Sequence, residues 1–138
     1  MTRIGVTGHM NITADSIPLI DAEISRLLAA AGDPAELIGV SCLARGADSV
    51  FAQAVLDAGG RLEVVLPSRD YRRHKVEPDH AEQFDALLSR ADTVRVMEFD
   101  DACREAYEAA NDVVVATCDR LIAVWDGQPG EKAGPARS

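Results

Sequence analysis

Five short apolar runs recur along the chain: RIGVTG (3–8), ELIGVS (36–41), RLEVVLP (61–67), TVRVM (93–97) and RLIAVW (120–125). Several are apolar almost throughout, the mark of strands covered on both faces, and helical patterns between them favour parallel pairing. Ile17, Ile20, Ile24, Leu27, Leu28 and Ala31 fall at helical spacing, as do Ala47, Phe51, Ala54, Val55 and Ala58. Phe84, Leu87, Leu88 and Ala91 mark a third helix, and Ala106, Tyr107, Ala110, Val113, Val114 and Thr117 a fourth. Asp15 or Ser16 stands where a cap for the first helix belongs, Gly32 ends it, and AGG at 58–60 closes the second. The expected architecture is a three-layer, Rossmann-like α/β domain, with an open sheet of about five parallel strands and helices on both faces.

At 138 residues the chain has the size of one domain, expected over 1–127, with an irregular Gly/Pro-bearing tail over 128–138. No apolar run approaches the roughly 18 residues of a membrane span, so no membrane association is expected. The amino-terminal residues show no secretion-signal pattern, which makes the cytoplasm the expected compartment. Cys42, Cys103 and Cys118 are widely spaced without a CxxC, a pattern of reduced thiols. His74 and His80 have no metal-site spacing, and neither a metal nor a cofactor is expected. A net charge of −9 makes general nucleic-acid binding an unlikely expectation, because that affinity comes largely from Lys and Arg at phosphates.

In an open parallel sheet, ligands bind beyond the carboxyl ends of the strands, near the reversal of strand order. The first such loop holds Thr7, Gly8 and His9, where Gly8 permits close backbone approach but no GxGxxG follows. The second, SCLARGAD, ends a strand with the Ser41 hydroxyl and opens a helix with the small residues Ala44, Gly46 and Ala47. Helix-opening amides attract anions, and Arg45 adds a forked donor. Asp48 is placed either to cap the helix or to accept hydrogen bonds from a ribose. The alternative for this loop is purely structural: a solvated Arg45–Asp48 pair and a capping serine.

The stretch SCLARGADSVFAQAVLDAGGRLEVVLP resembles the corresponding segment of the SLOG (SMF and LOG) superfamily, whose DNA-processing branch carries a similar S-G-x-A-R-G-x-D loop. AYEAANDVVVATCDRLIAVWDGQP resembles the distal half of small bacterial SLOG proteins, and GVTGH their first strand and loop. The resemblance implies a Rossmann-like domain that binds a nucleotide or nucleotide-derived small molecule. By position, its pocket would use Thr7, Gly8, His9, Ser41, Ala44, Arg45, Gly46, Pro67, Asp126 and Gly127. Two departures stand out: Cys42 replaces a glycine of the DNA-processing branch, and Gly134 is followed by Pro135 where related small proteins follow the fifth strand with a Gly-Gly-Thr turn into a final helix. The P-G-G-x-G-T-x-x-E signature of the phosphoribohydrolase branch is also absent.

A binding or sensing module is therefore the leading expectation. The alternatives are a nucleoside monophosphate N-glycosidase, with Asp126, Glu98 or Asp48 as candidate catalytic carboxylates, and single-stranded DNA binding. RDYRRHK (69–75) is read either as a solvated charge run or as a phosphate-reaching lid in which Tyr71 stacks on a base. Cys42 is expected to be a small buried thiol. The fifth strand has no helical pattern after it, which suggests either a homodimer or higher homo-oligomer burying that face or a shortened chain.

Overall fold

The computed structural model describes residues 2–8, 15–44 and 46–124. In chain order they form β1 (Thr2–Gly8), α1 (Ile17–Ala30), β2 (Leu37–Ser41), α2 (Ala47–Asp57), β3 (Arg61–Leu66), α3 (Tyr71–His74), α4 (Pro78–Ser89), β4 (Thr93–Val96), α5 (Arg104–Thr117) and β5 (Arg120–Val124). The five strands and four longer helices lie where the apolar patterns place them. The four-residue α3 is an addition, and its Tyr71 has a structural role described below.

The sheet is wholly parallel, in the order β4-β3-β2-β1-β5. From β1 the chain steps outward to β4 with α1, α2 and α4 on one face, then returns past β1 to β5 with α5 on the other. Reversing direction requires changing faces if every crossover keeps the same hand. The result is the expected three-layer α/β architecture.

Alternation along the strands divides the core. Ile4 and Val6 of β1 point toward Ile24 and Leu28 of α1 and toward Phe51 and Val55 of α2. Leu62, Val64 and Leu66 of β3 meet Phe84 and Leu87 of α4, together with Tyr71. On the opposite face, Val40 and Val65 pack against Ala110 and Val114 of α5. Phe51 and Phe84 are completely buried; burying such a side chain contributes about 1.5–3 kcal/mol.

Two strand glycines admit the helices. A Cβ at Gly39 would lie 2.6 Å from Val55 Cγ2 and 3.1 Å from Phe51, and one at Gly5 would lie 2.8 Å from Val114 Cγ1. Without side chains there, α2 and α5 settle close to the sheet from opposite sides. At the β5 edge a groove of about 280 Å³ remains between α1 and the strand, lined by Leu27, Ala31, Arg120 and Ile122 among others. None of the described helices is long and apolar enough to cross a membrane.

Candidate functional site

Strand order reverses between β1 and β5, so the crevice expected for a ligand opens at the carboxyl ends of these strands and of neighbouring β2. The register makes those ends level: Thr7 pairs with Ala123 and Gly8 with Val124, while Ser41 of β2 pairs with Val64 of β3. Thr7 is half-buried at the strand end. His9, Arg45, Asp126 and Gly127 lie outside the described residues.

The β2–α2 loop is the most constructed feature of this edge. Ser41, 1% exposed, has its hydroxyl accepting a hydrogen bond from the Leu43 amide at 3.0 Å and donating to the Asp48 carbonyl at 3.2 Å. The hydroxyl is a staple between the two ends of the loop. Leu43 has φ 57°, in the left-handed region, with its side chain fully buried. A non-glycine residue in this region costs about 1–2 kcal/mol, so surrounding contacts must hold it there. They do: Ser41 fixes its amide, and His80 of α4 reaches its carbonyl at 3.2 Å.

Gly46, with φ 85° and ψ −130°, then turns the chain into α2 in a conformation that side chains rarely adopt. The helix opens without a side-chain cap. Its Ser49 and Val50 amides both donate to the Gly46 carbonyl at 3.1 Å, whereas those of Ala47 and Asp48 make no hydrogen bond to a described residue. Among the described residues, then, nothing accepts from these two helix-opening donors, which stand at the positive end of the helix dipole.

Asp48 does not cap its own helix. Its carboxylate turns back and accepts from the Ala44 amide at 3.4 Å and from the Cys42 amide. Burial pushes its pKa up to about 6, against the lowering effect of those two amides. Cys42 is half-buried and packs beside Val40 and Val65. Its thiol is pushed far above the ordinary range, first by burial and then by Asp48, as expected of an unreactive thiol.

Other sequence candidates are scattered. Pro67 is fully buried after β3. Glu98 is exposed beyond β4, three strand positions from β1, or roughly 14 Å across the sheet at the usual spacing. The structure therefore brings Thr7, Gly8, Ser41, Ala44, Gly46 and Asp48 together along the β1–β2 part of the carboxyl edge and leaves Glu98 at the far, β4 end of it.

Two of the four cations in the basic segment after β3 are engaged at the surface. Arg69 pairs with Asp100 at 2.8 Å, and Arg72 forms a forked pair with Asp85 at 2.7 and 2.8 Å. Tyr71 is not a base-stacking residue: it is 5% exposed, tilted against Phe84 and edge-on to Tyr107 at ring-centroid distances of 6.0 and 6.2 Å. Nearby, the Asp70 carboxylate accepts from Ser68 at 2.6 Å and from the Ala102 amide at 3.0 Å, tying the loops after β3 and β4 together.

No protein-family model matches the sequence, and no curated protein matches it. Solved structures do. The chain is similar to DNA processing protein A (DprA) from Streptococcus pneumoniae, with a TM-score of 0.62 and 18% identity over 89% of this chain and 41% of that one. DprA from Helicobacter pylori, described for its single-stranded DNA binding mode, gives a TM-score of 0.61 and 19% identity over 93% and 56%. A protein designated TM1055 gives a TM-score of 0.56 and 16% identity over 90% and 60%. The chain spans about half the length of these proteins.

The Helicobacter protein overturns the expectation that the acidic balance makes nucleic-acid binding unlikely. Net charge sums over a whole surface, whereas a phosphate responds to its local field and to amides that carry no formal charge. The described residues have the Rossmann-like fold of DprA and TM1055.

Proposed function

We propose that this chain binds a nucleotide or nucleotide-derived ligand at the carboxyl edge of its sheet, with a phosphate seated on the amides that open α2. The observation carrying this reading is the β2–α2 loop. It holds a left-handed Leu43 and an uncapped helix start, with the Ala47 and Asp48 amides not used by any described residue. A loop needing only to turn would not retain a strained leucine. Thr7 and Gly8 border the same crevice from β1, and Ser41 and Asp48 contribute by holding the loop's shape. His9, Arg45, Asp126 and Gly127 complete the proposed set from outside the described residues.

A second reading has its own support. DprA from Helicobacter pylori shares the fold and is described as binding single-stranded DNA, so the seated phosphate would belong to a strand instead of a free nucleotide. Equilibrium binding of AMP, adenosine and a thymidine oligonucleotide separates the two. The nucleotide reading expects AMP to bind at least about tenfold more tightly than adenosine, equivalent to about 1.4 kcal/mol. Single-strand binding expects the oligonucleotide to win and to weaken steeply as salt rises. Equal, weak binding of all three would contradict both.

A further inference from the structure

His80 is a buried polar residue that the proposed phosphate contacts do not use. It lies near the start of α4, is 7% exposed, and has its ring 6.3 Å from that of Phe84. Its Nε2 faces two oxygens of the β2–α2 loop, the Leu43 carbonyl at 3.2 Å and the Ser49 hydroxyl at 3.3 Å. The Ser49 proton is already committed to the Ala44 carbonyl at 2.8 Å. Both oxygens facing the ring therefore present lone pairs.

Only a proton on Nε2 satisfies that arrangement. A bare Nε2 would oppose the Leu43 carbonyl and leave a buried acceptor without a donor, at a cost of about 1–3 kcal/mol. We infer that His80 is a positioning residue: its Nε2–H holds the Leu43 carbonyl and the Ser49 hydroxyl together, fixing the left-handed turn that sets the start of α2. The contact spans 37 residues and couples α4 to the candidate site. Its importance for ligand binding rests on the phosphate reading above; its role in shaping the loop does not.

The test combines three readouts. Long-range nitrogen–proton NMR of the wild-type imidazole at pH 8 should show the Nε2–H form; an Nδ1–H form overturns the inference. The second readout is amide hydrogen exchange at Leu43 and Ala44 in His80→Asn and His80→Gln. Glutamine carries an amide nitrogen near the reach of Nε2, whereas the shorter asparagine does not. Exchange should accelerate about tenfold or more in His80→Asn and stay within about threefold of wild type in His80→Gln. Equal behaviour of two folded variants overturns the inference.

If His80→Asn does not fold, the wild-type tautomer and the His80→Gln exchange rates still decide the question. The third readout is AMP affinity, which should follow the same order: wild type, then His80→Gln, then His80→Asn. Failure of the wild type to bind AMP defeats the nucleotide reading, whereas failure of the tautomer or exchange result defeats the role of His80.

Discussion

The β2–α2 loop and the basic segment after β3 both leave the carboxyl edge of the sheet, but they spend their polar groups differently. In the first, Ser41, Ser49, Asp48 and His80 bond to loop backbone, and this network surrounds a leucine in a left-handed conformation. In the second, Arg69 and Arg72 are satisfied at the surface by Asp100 and Asp85, and the aromatic side chain turns into the core. The segment with the larger formal charge is therefore the less prepared for a ligand. On the reading proposed above, preorganised amides that no described residue uses make the better anion site, because their geometry is set before anything binds.

The largest effect should come from disturbing the platform beneath the first loop. In Gly39→Val the new side chain meets Val55 and Phe51 where even a Cβ has only 2.6 Å. A loss of about 3 kcal/mol is expected in denaturant unfolding, because the stiff Val55 methyls cannot turn away cheaply. Ser41→Ala comes next, since it leaves the buried Leu43 amide without its acceptor. It should cost about 2 kcal/mol and weaken AMP binding as well.

Asp48→Asn tests the same loop through pH. Because burial raises the folded pKa of Asp48 to about 6, its contribution to stability is fully present below the ordinary Asp range and is lost as pH rises through 6. Wild type should therefore lose stability relative to Asp48→Asn between pH 4 and pH 7, by on the order of 2 kcal/mol. A constant difference across that window would contradict the buried carboxylate. The smallest effect belongs to the second segment: Arg72→Ala removes an exposed ion pair and should change stability by less than about 1 kcal/mol while sparing AMP affinity. A large loss of affinity in that variant would erase the contrast between the two regions.

Much of the architecture was legible in the sequence because it rests on periodicity. Strands such as 61–66 and helices such as 104–117 repeat their apolar positions often enough to show their period and buried face. The order in which the strands reverse, and so the edge where the proposed site lies, follows from the same alternation of strands and helices. Tyr71 was not: a four-residue helix shows almost one turn, so a tyrosine among arginines gives no sign of facing inward. Nor was the tie between His80 and Leu43, a contact 37 residues apart made to a backbone carbonyl whose direction depends on a left-handed turn. Net charge misled for a related reason, because it has no spatial resolution.

The central claim is that the opening amides of α2 receive a phosphate. Amide chemical shifts across the chain, followed during titration with AMP and separately with adenosine, test it most directly. The account predicts AMP-dependent shifts concentrated at Ala47, Asp48 and the 41–46 loop, much larger than those caused by adenosine. Equal shifts with both ligands, or AMP shifts confined to Arg69–Lys75, would contradict it.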